Sequence, residues 1–340
     1  MVTNGPILMI LDLYGLIILC KTESPDLASE LVRPFKYFKT DQGHPDTTVM
    51  VEEVDPPYAT FPSITASFST PRNIIYKDKD LKIIDYFGKG MVVQDDSRKI
   101  YHIYSRERNL LQEVFYLLIL SLFGQFCDRN GMLRIHALAL SYHDKAILLT
   151  MPQGGGKSTM ALAMLQEEEV KYISDDEPVF GRGGYILPFP RPLGISDKRA
   201  VKFIPEESVY QIDRMEFGTK YFIENDYWKD KIETKPLHDI FLFSGRRILS
   251  GIPSVERCSK REILITLIRD AVIGIGLYQG LEFIINRSTW ELLSKITTAF
   301  KRFFLAFKLV RVSKTYRFTL SNDIAQNVCV LKEFIQKIIP

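Results

Sequence analysis

The most constraining stretch of the chain is short: Ala146-Ile-Leu-Leu-Thr-Met-Pro-Gln-Gly-Gly-Gly-Lys-Ser-Thr159. Residues 146–151 read as a buried strand, a glycine triplet follows, residues 158–168 have helical character and residues 170–174 read as a second strand. Strand, glycine loop, helix and strand in that order form a βαβ unit, whose crossover is nearly always right-handed. That handedness brings Asp175 and Asp176, which follow the second strand, to the carboxyl edge of the sheet where the loop lies.

The residue types suit a polyphosphate. Gly154, Gly155, Gly156, Lys157, Ser158 and Thr159 match the latter half of the GxxxxGK[ST] pattern, while Met151 stands where its first glycine would fall. Glycines let consecutive N–H groups turn inward on phosphate, Lys157 supplies a point charge, and the Ser158 hydroxyl can hold Mg²⁺. The helix beginning there adds the positive end of its dipole. Two adjacent carboxylates can divide two tasks, one holding the metal and the other accepting a proton from an attacking hydroxyl. Taken alone, the glycine loop has an ordinary strand-to-helix turn as its minority alternative, whereas Ser-Asp-Asp-Glu reads first as a surface turn; their spacing is what joins them.

Elsewhere the pattern divides the chain. Residues 1–128 form a β-rich region with strand-like runs at 7–20, 48–54, 64–68, 73–76, 91–94 and 100–104, closed by a helix over 107–128. Residues 129–340 form the nucleotide-binding domain, beginning with a strand at 133–140 that carries His136 and turns through 141–145 into the loop strand. The expected fold class is therefore α/β, with a β-rich N-terminal region. Arg191, set between two prolines, is a candidate clamp for transition-state charge.

Composition excludes classes without naming one. With 46% hydrophobic residues, 25% charged and a net charge of +3, the chain is neither collagenous, wholly disordered nor a disulfide-stapled miniprotein. Cys20, Cys127, Cys258 and Cys329 lie too far apart for a zinc or CxxC motif, which points to a reducing, cytoplasmic setting. No basic residue precedes the first apolar run and Asp12 interrupts it, so a strand pair is expected there rather than a signal peptide. Residues 114–126 are too few for a bilayer, and 263–285 carry Arg269, Asp270 and Glu282, so both read as buried helices and no membrane span is expected. Residues 292–322 carry Lys295, Lys301, Arg302, Lys308, Arg311, Lys314 and Arg317 and no acidic residue. Phe300, Phe303, Phe304 and Phe307 recur there at helical spacing, as on the buried face of an amphipathic helix. A solvated basic face ranks first for this segment, an acidic peptide or partner site second, and a nucleic acid or membrane surface last.

In order, Ile135-His136-Ala137, the loop through Thr159, Ala161-Leu162 and Ile173-Ser174-Asp175-Asp176 resemble the HPr kinase/phosphorylase family, and more closely its HPr-kinase-related bacterial members. The strong part covers about residues 130–180, with looser similarity through 187–193, 239–244 and 316–320. The resemblance implies a phosphoenolpyruvate-carboxykinase-like P-loop core. It also implies transfer of a phosphoryl group from ATP, or another nucleoside triphosphate, with Mg²⁺ to a hydroxyl, typically serine of a peptide or protein. In related proteins encoded with ribosomally made peptides, the resemblance implies that the acceptor can be a serine of the precursor. By position, Lys157 and Ser158 bind phosphate and Mg²⁺, Asp175 is the candidate base, Asp176 the metal partner, and His136 faces the phosphates; the two aspartates could exchange roles. The glutamate-bearing signature of true HPr kinases is not recognisable, and Phe189-Pro190-Arg191-Pro192 occupies its region. The family's hexamers imply a homo-oligomer. A nucleotide-binding regulator without phosphotransfer and a nucleic-acid-associated ATPase are the competing expectations.

Overall fold

The computed structural model describes residues 6–151, 156–214, 218–268, 283 and 289–339. Gly154 and Gly155, and most of the 263–285 stretch, lie outside the described residues. The fold is α/β, in two units: one mainly Met1–Phe123, the other mainly Gly124–Gln211, Lys220–Tyr278 and Asn286–Pro340. The division falls inside the helix expected to close the first region.

In the first unit, strands β1 (Ile7–Leu13), β2 (Leu16–Thr22), β3 (Lys39–Thr40), β4 (Thr47–Glu52), β5 (Ala66–Ser69), β6 (Ile74–Asp78), β7 (Leu81–Asp85), β8 (Gly90–Asp95) and β9 (Ile100–Ser105) form one mixed sheet. Its order is β3-β1-β2-β4-β9-β8-β7-β6-β5. Asp12 proves to be a turn anchor: Tyr14 and Gly15 take positive φ between β1 and β2, and the Gly15 N–H donates to Asp12 Oδ1 at 2.7 Å. Helix α1 (Pro25–Val32) was not expected, although its start is written in Ser24-Pro25: the Ser24 hydroxyl accepts the Leu27 N–H, and proline suits the first helical position. Helix α2 (Arg108–Asn130) contains the 114–126 run. Its 23 residues correct the expectation of a stretch too short for a bilayer: by length and composition it could cross one, and 67% of its most apolar window is buried inside the protein.

The second unit is built on β11 (Ala137–Tyr142), β12 (Lys145–Thr150), β13 (Val170–Ser174), β19 (Ile240–Arg247), β20 (Ser254–Arg257) and β21 (Lys314–Leu320), in the order β13-β11-β12-β19-β21-β20. Strands β12, β19 and β21 are parallel, whereas β11 runs antiparallel between β12 and β13. Helix α3 (Lys157–Met164) therefore crosses over β11 to reach β13, and β12 and β13 end at the same edge. Both faces of the sheet are covered, so β12 reads as a continuous apolar run rather than an alternating one. Leu138, Leu140, Ile147 and Leu149 share one core with Met160, Ala161 and Met164 of α3 and with Leu331 and Ile335 of the closing helix, Ile324–Ile338. Ala137, Ala139, Ala146 and Leu148 share the other with Ile263 and Leu267 of α4 (Lys260–Leu267) and Ala306, Leu309 and Val310 of α5 (Thr289–Val312). The closing helix is hereafter α6.

Two small sheets flank this core: β10 (Leu133–Arg134), β14 (Val179–Phe180) and β15 (Ile186–Leu187), and β16 (Leu193–Ile195), β17 (Val209–Arg214) and β18 (Gly218–Ile223). The phenylalanine stripe needs correcting. Phe300, Phe304 and Phe307 are 61%, 65% and 50% exposed, and α5 instead buries Ala306, Leu309 and Val310. Spacing identifies an amphipathic helix but not which side meets the core; small Ala306 lets α5 pack closely on that side. Several of the segment's basic groups are engaged internally: Arg302 makes a two-pronged pair with Asp128 at 2.7 and 2.8 Å, Lys308 donates to the Arg182 carbonyl at 2.5 Å, and Arg317 pairs with Glu256 and Glu262.

Candidate functional site

The strand expected over 133–140 is broken at His136. The Ala137 N–H donates to the Ile135 carbonyl at 2.9 Å, a tight three-residue turn about His136, and β10 and β11 go to different sheets. The break sets His136 beside the start of α3. Its Nε2 lies 2.9 Å from Lys157 Nζ, and its Nδ1 lies 4.0 Å from Asp176 Oδ1. A protonated Lys157 can only donate, so Nε2 accepts and Nδ1 carries the ring proton toward Asp176.

Lys157 is buried and also donates to the Met151 carbonyl at 3.1 Å. Gly156 caps α3 with φ +90°, a conformation that favours glycine, and Thr159 lies half-buried in the first turn. Met151 in place of the first glycine is accommodated by a glycine elsewhere. A Cβ on Gly245 of β19 would lie 2.5 Å from Met151 Cγ and 2.9 Å from the Thr150 carbonyl oxygen, so the methionine occupies space that Gly245 leaves open.

The two aspartates have different surroundings. Ser158 Oγ donates to Asp175 Oδ2 at 2.7 Å, while Asp175 Oδ1 is buried with no hydrogen-bond partner among the described residues. Burial, and then the neighbouring Asp176 charge, push the Asp175 pKa up to about 7 against the pull of Ser158, Lys220 and Lys157. At Asp176 burial also works to raise the pKa, but Arg191, Lys220, His136 and Lys157 outweigh it and hold the carboxyl below its ordinary range. Solvent still reaches 36% of the Asp176 side chain. Glu177 turns away from this pair: it is buried 3.6 Å from Arg134, whose guanidinium fills the space over Gly124 of α2, and its N–H donates to Ser174 Oγ.

Arg191 is buried. Its carbonyl accepts the Tyr172 hydroxyl at 2.9 Å, Asn225 Nδ2 holds the preceding Pro190 carbonyl at 2.9 Å, and its guanidinium lies 5.8 Å from the Phe189 ring centre. Lys157, Ser158, Asp175, Asp176, His136 and Arg191 are thus brought to one edge of the second unit. Lys220 of β18, which no motif singled out, joins them electrostatically; its only sequence signal is a cation in a strand-forming run.

Among the described residues no group of three or more His, Cys, Asp or Glu is placed to hold a metal ion. The Ser158 hydroxyl and Asp176 carboxylate are hard oxygens of the kind that suits Mg²⁺, which is commonly bound by few protein groups together with substrate phosphates. No protein-family model matches the chain, and no curated protein matches it at a significant level.

Proposed function

We propose that this chain is a phosphotransferase: it binds a nucleoside triphosphate with Mg²⁺ on a phosphoenolpyruvate-carboxykinase-like, HPr-kinase-like P-loop core and transfers the terminal phosphoryl group to a hydroxyl, a serine of a peptide or protein. The observation that carries this reading is the Ser158–Asp175 hydrogen bond, which joins the first turn of α3 to the end of β13 beside a buried, helix-terminal lysine. A glycine loop that were merely a turn would have no reason to aim a lysine, a serine and two carboxylates at one edge.

Lys157 and the amides at the start of α3 bind the phosphate oxygens. Ser158 and Asp176 would hold the metal. Mg²⁺, when bound, neutralises charge on the phosphate oxygens. Asp175 Oδ1 takes the proton of the acceptor hydroxyl: Oδ2 is occupied by Ser158, Oδ1 has no partner among the described residues, and the raised proton affinity suits a base working near neutral pH. His136 and the Met151 carbonyl both hold Lys157, and the Arg191 charge acts on Asp176. The altered start of the loop at Met151 is accommodated by Gly245 opposite it.

The test uses ATP labelled at the terminal phosphate, Mg²⁺ and a serine-containing peptide library with the full chain. Asp175→Asn should lower label transfer by about 10²-fold or more, the span of a lost general base, while ATP affinity stays within a few-fold. Transfer at the wild-type rate by the variant would remove Asp175 from the mechanism.

A further inference from the structure

The small sheet of β16, β18 and β17 does more than flank the core. Strands β16 and β18 are antiparallel, with Leu193 opposite Ile223, Gly194 opposite Phe222 and Ile195 opposite Tyr221. Lys220, one residue beyond the Tyr221–Ile195 pair, bends back along the sheet instead of extending into solvent. A Cβ on Gly194 would fall 2.2 Å from Lys220 Cε and 2.6 Å from Nζ, so the ammonium end of the chain rests directly on Gly194. Nζ also lies 5.5 Å from the Phe222 ring centre, and that ring stacks on Tyr210 at 5.3 Å. The direction of the bend carries the charge toward the end of β16 that follows Arg191 and Pro192.

The surroundings give this placement a consequence. Lys157, Arg191 and Lys220 are three cations gathered around the two carboxylates of Asp175 and Asp176. Positive charge is therefore in excess at a partly desolvated edge, an arrangement that an anion relieves. Lys157 comes from the loop, where a nucleotide's phosphates begin. Arg191 and Lys220 come instead from the segment that leads into β16 and from β18, and both act on the Asp176 carboxylate.

We infer that Lys220 is a phosphate-binding residue of this site, its ammonium seated on Gly194 and against Phe222 so as to hold, with Arg191, the terminal phosphoryl group of a nucleoside triphosphate. The inference rests on the phosphotransferase reading and adds to it a contact that a diphosphate cannot make.

Titration calorimetry of the full chain with MgATP and MgADP separates the two. Lys220→Met should weaken ATP binding about tenfold or more and leave ADP binding within about twofold. Gly194→Ala should reproduce that loss with Lys220 intact, because its methyl displaces the flexible end of the lysine rather than backbone. If Gly194→Ala fails to fold by circular dichroism, Lys220→Met alone decides. ATP affinity unchanged in Lys220→Met, or equal losses for ATP and ADP, would overturn the role given to Lys220. A wild-type chain that binds neither nucleotide would instead overturn the phosphotransferase reading, and this inference with it.

Discussion

Asp175 and Asp176 are neighbours in the chain, yet their surroundings drive their proton affinities apart: burial and a like charge raise one, and four nitrogen groups lower the other. Such a split suits one carboxylate that takes a proton and one that stays ionised to hold a cation. It also has a cost in stability with a definite sign. Because the Asp175 pKa is raised from 3.8 to about 7, the folded state binds this proton more tightly than the unfolded one. The Asp175 contribution is therefore fully present below about pH 4 and is lost as pH rises through about 7. Asp175→Asn cannot ionise, so in EDTA it should be more stable than the wild type at pH 8, with the difference shrinking toward pH 4. Urea unfolding at the two pH values checks this; a variant less stable at pH 8 would mean that Asp175 is not a strained, buried carboxylate.

At the scale of elements, the site depends on places where regular structure stops. β11 starts only after the turn about His136, α3 starts on a left-handed glycine, and β13 ends on the aspartates. Lys157, Ser158, Asp175 and Asp176 were legible in the sequence because each motif is contiguous and one helix and one strand separate them. Gly194, Lys220 and Gly245 were not, since each matters only through a neighbour brought by pairing: Gly194 by β18, and Gly245 by the parallel register that sets Ser244 against Thr150. Long-range register leaves no local trace in composition or periodicity. The break at His136 was missed for a related reason, because an apolar run does not record that its two halves pair with different strands. Gly245→Ala tests the fit of the loop strand directly. Its methyl would meet Met151 and the Thr150 carbonyl, backbone that cannot easily move, so destabilisation of about 1–3 kcal/mol is expected, with weaker ATP binding as the Met151 carbonyl that holds Lys157 shifts. Chemical denaturation and calorimetry of the variant measure both; wild-type values would show that Met151 is not confined there.

Across the whole molecule, α/β class and a β-rich beginning could be read from strand-like runs, turn residues and the βαβ grammar, and the division at Phe123/Gly124 lies within the helix that ends the β-rich part. Strand order in the nine-stranded sheet, with its parallel β2–β4 and β4–β9 pairs, could not, because those pairings join segments through connections that carry no motif. The same limit applies to α5, where four phenylalanines at helical spacing suggested burial and three proved exposed. The candidate site, in contrast, lies in the second unit, on the sheet edge that gathers Lys157, Ser158, Asp175 and Asp176. Nucleotide binding by that edge is the claim on which the rest depends. Titration of the full chain with MgATP, beside a folded Lys157→Ala variant, measures it most directly. Saturable one-to-one binding by the wild type and an affinity at least about tenfold weaker in the variant are expected; no binding by the wild type, or equal binding by both, would contradict nucleotide binding at this edge.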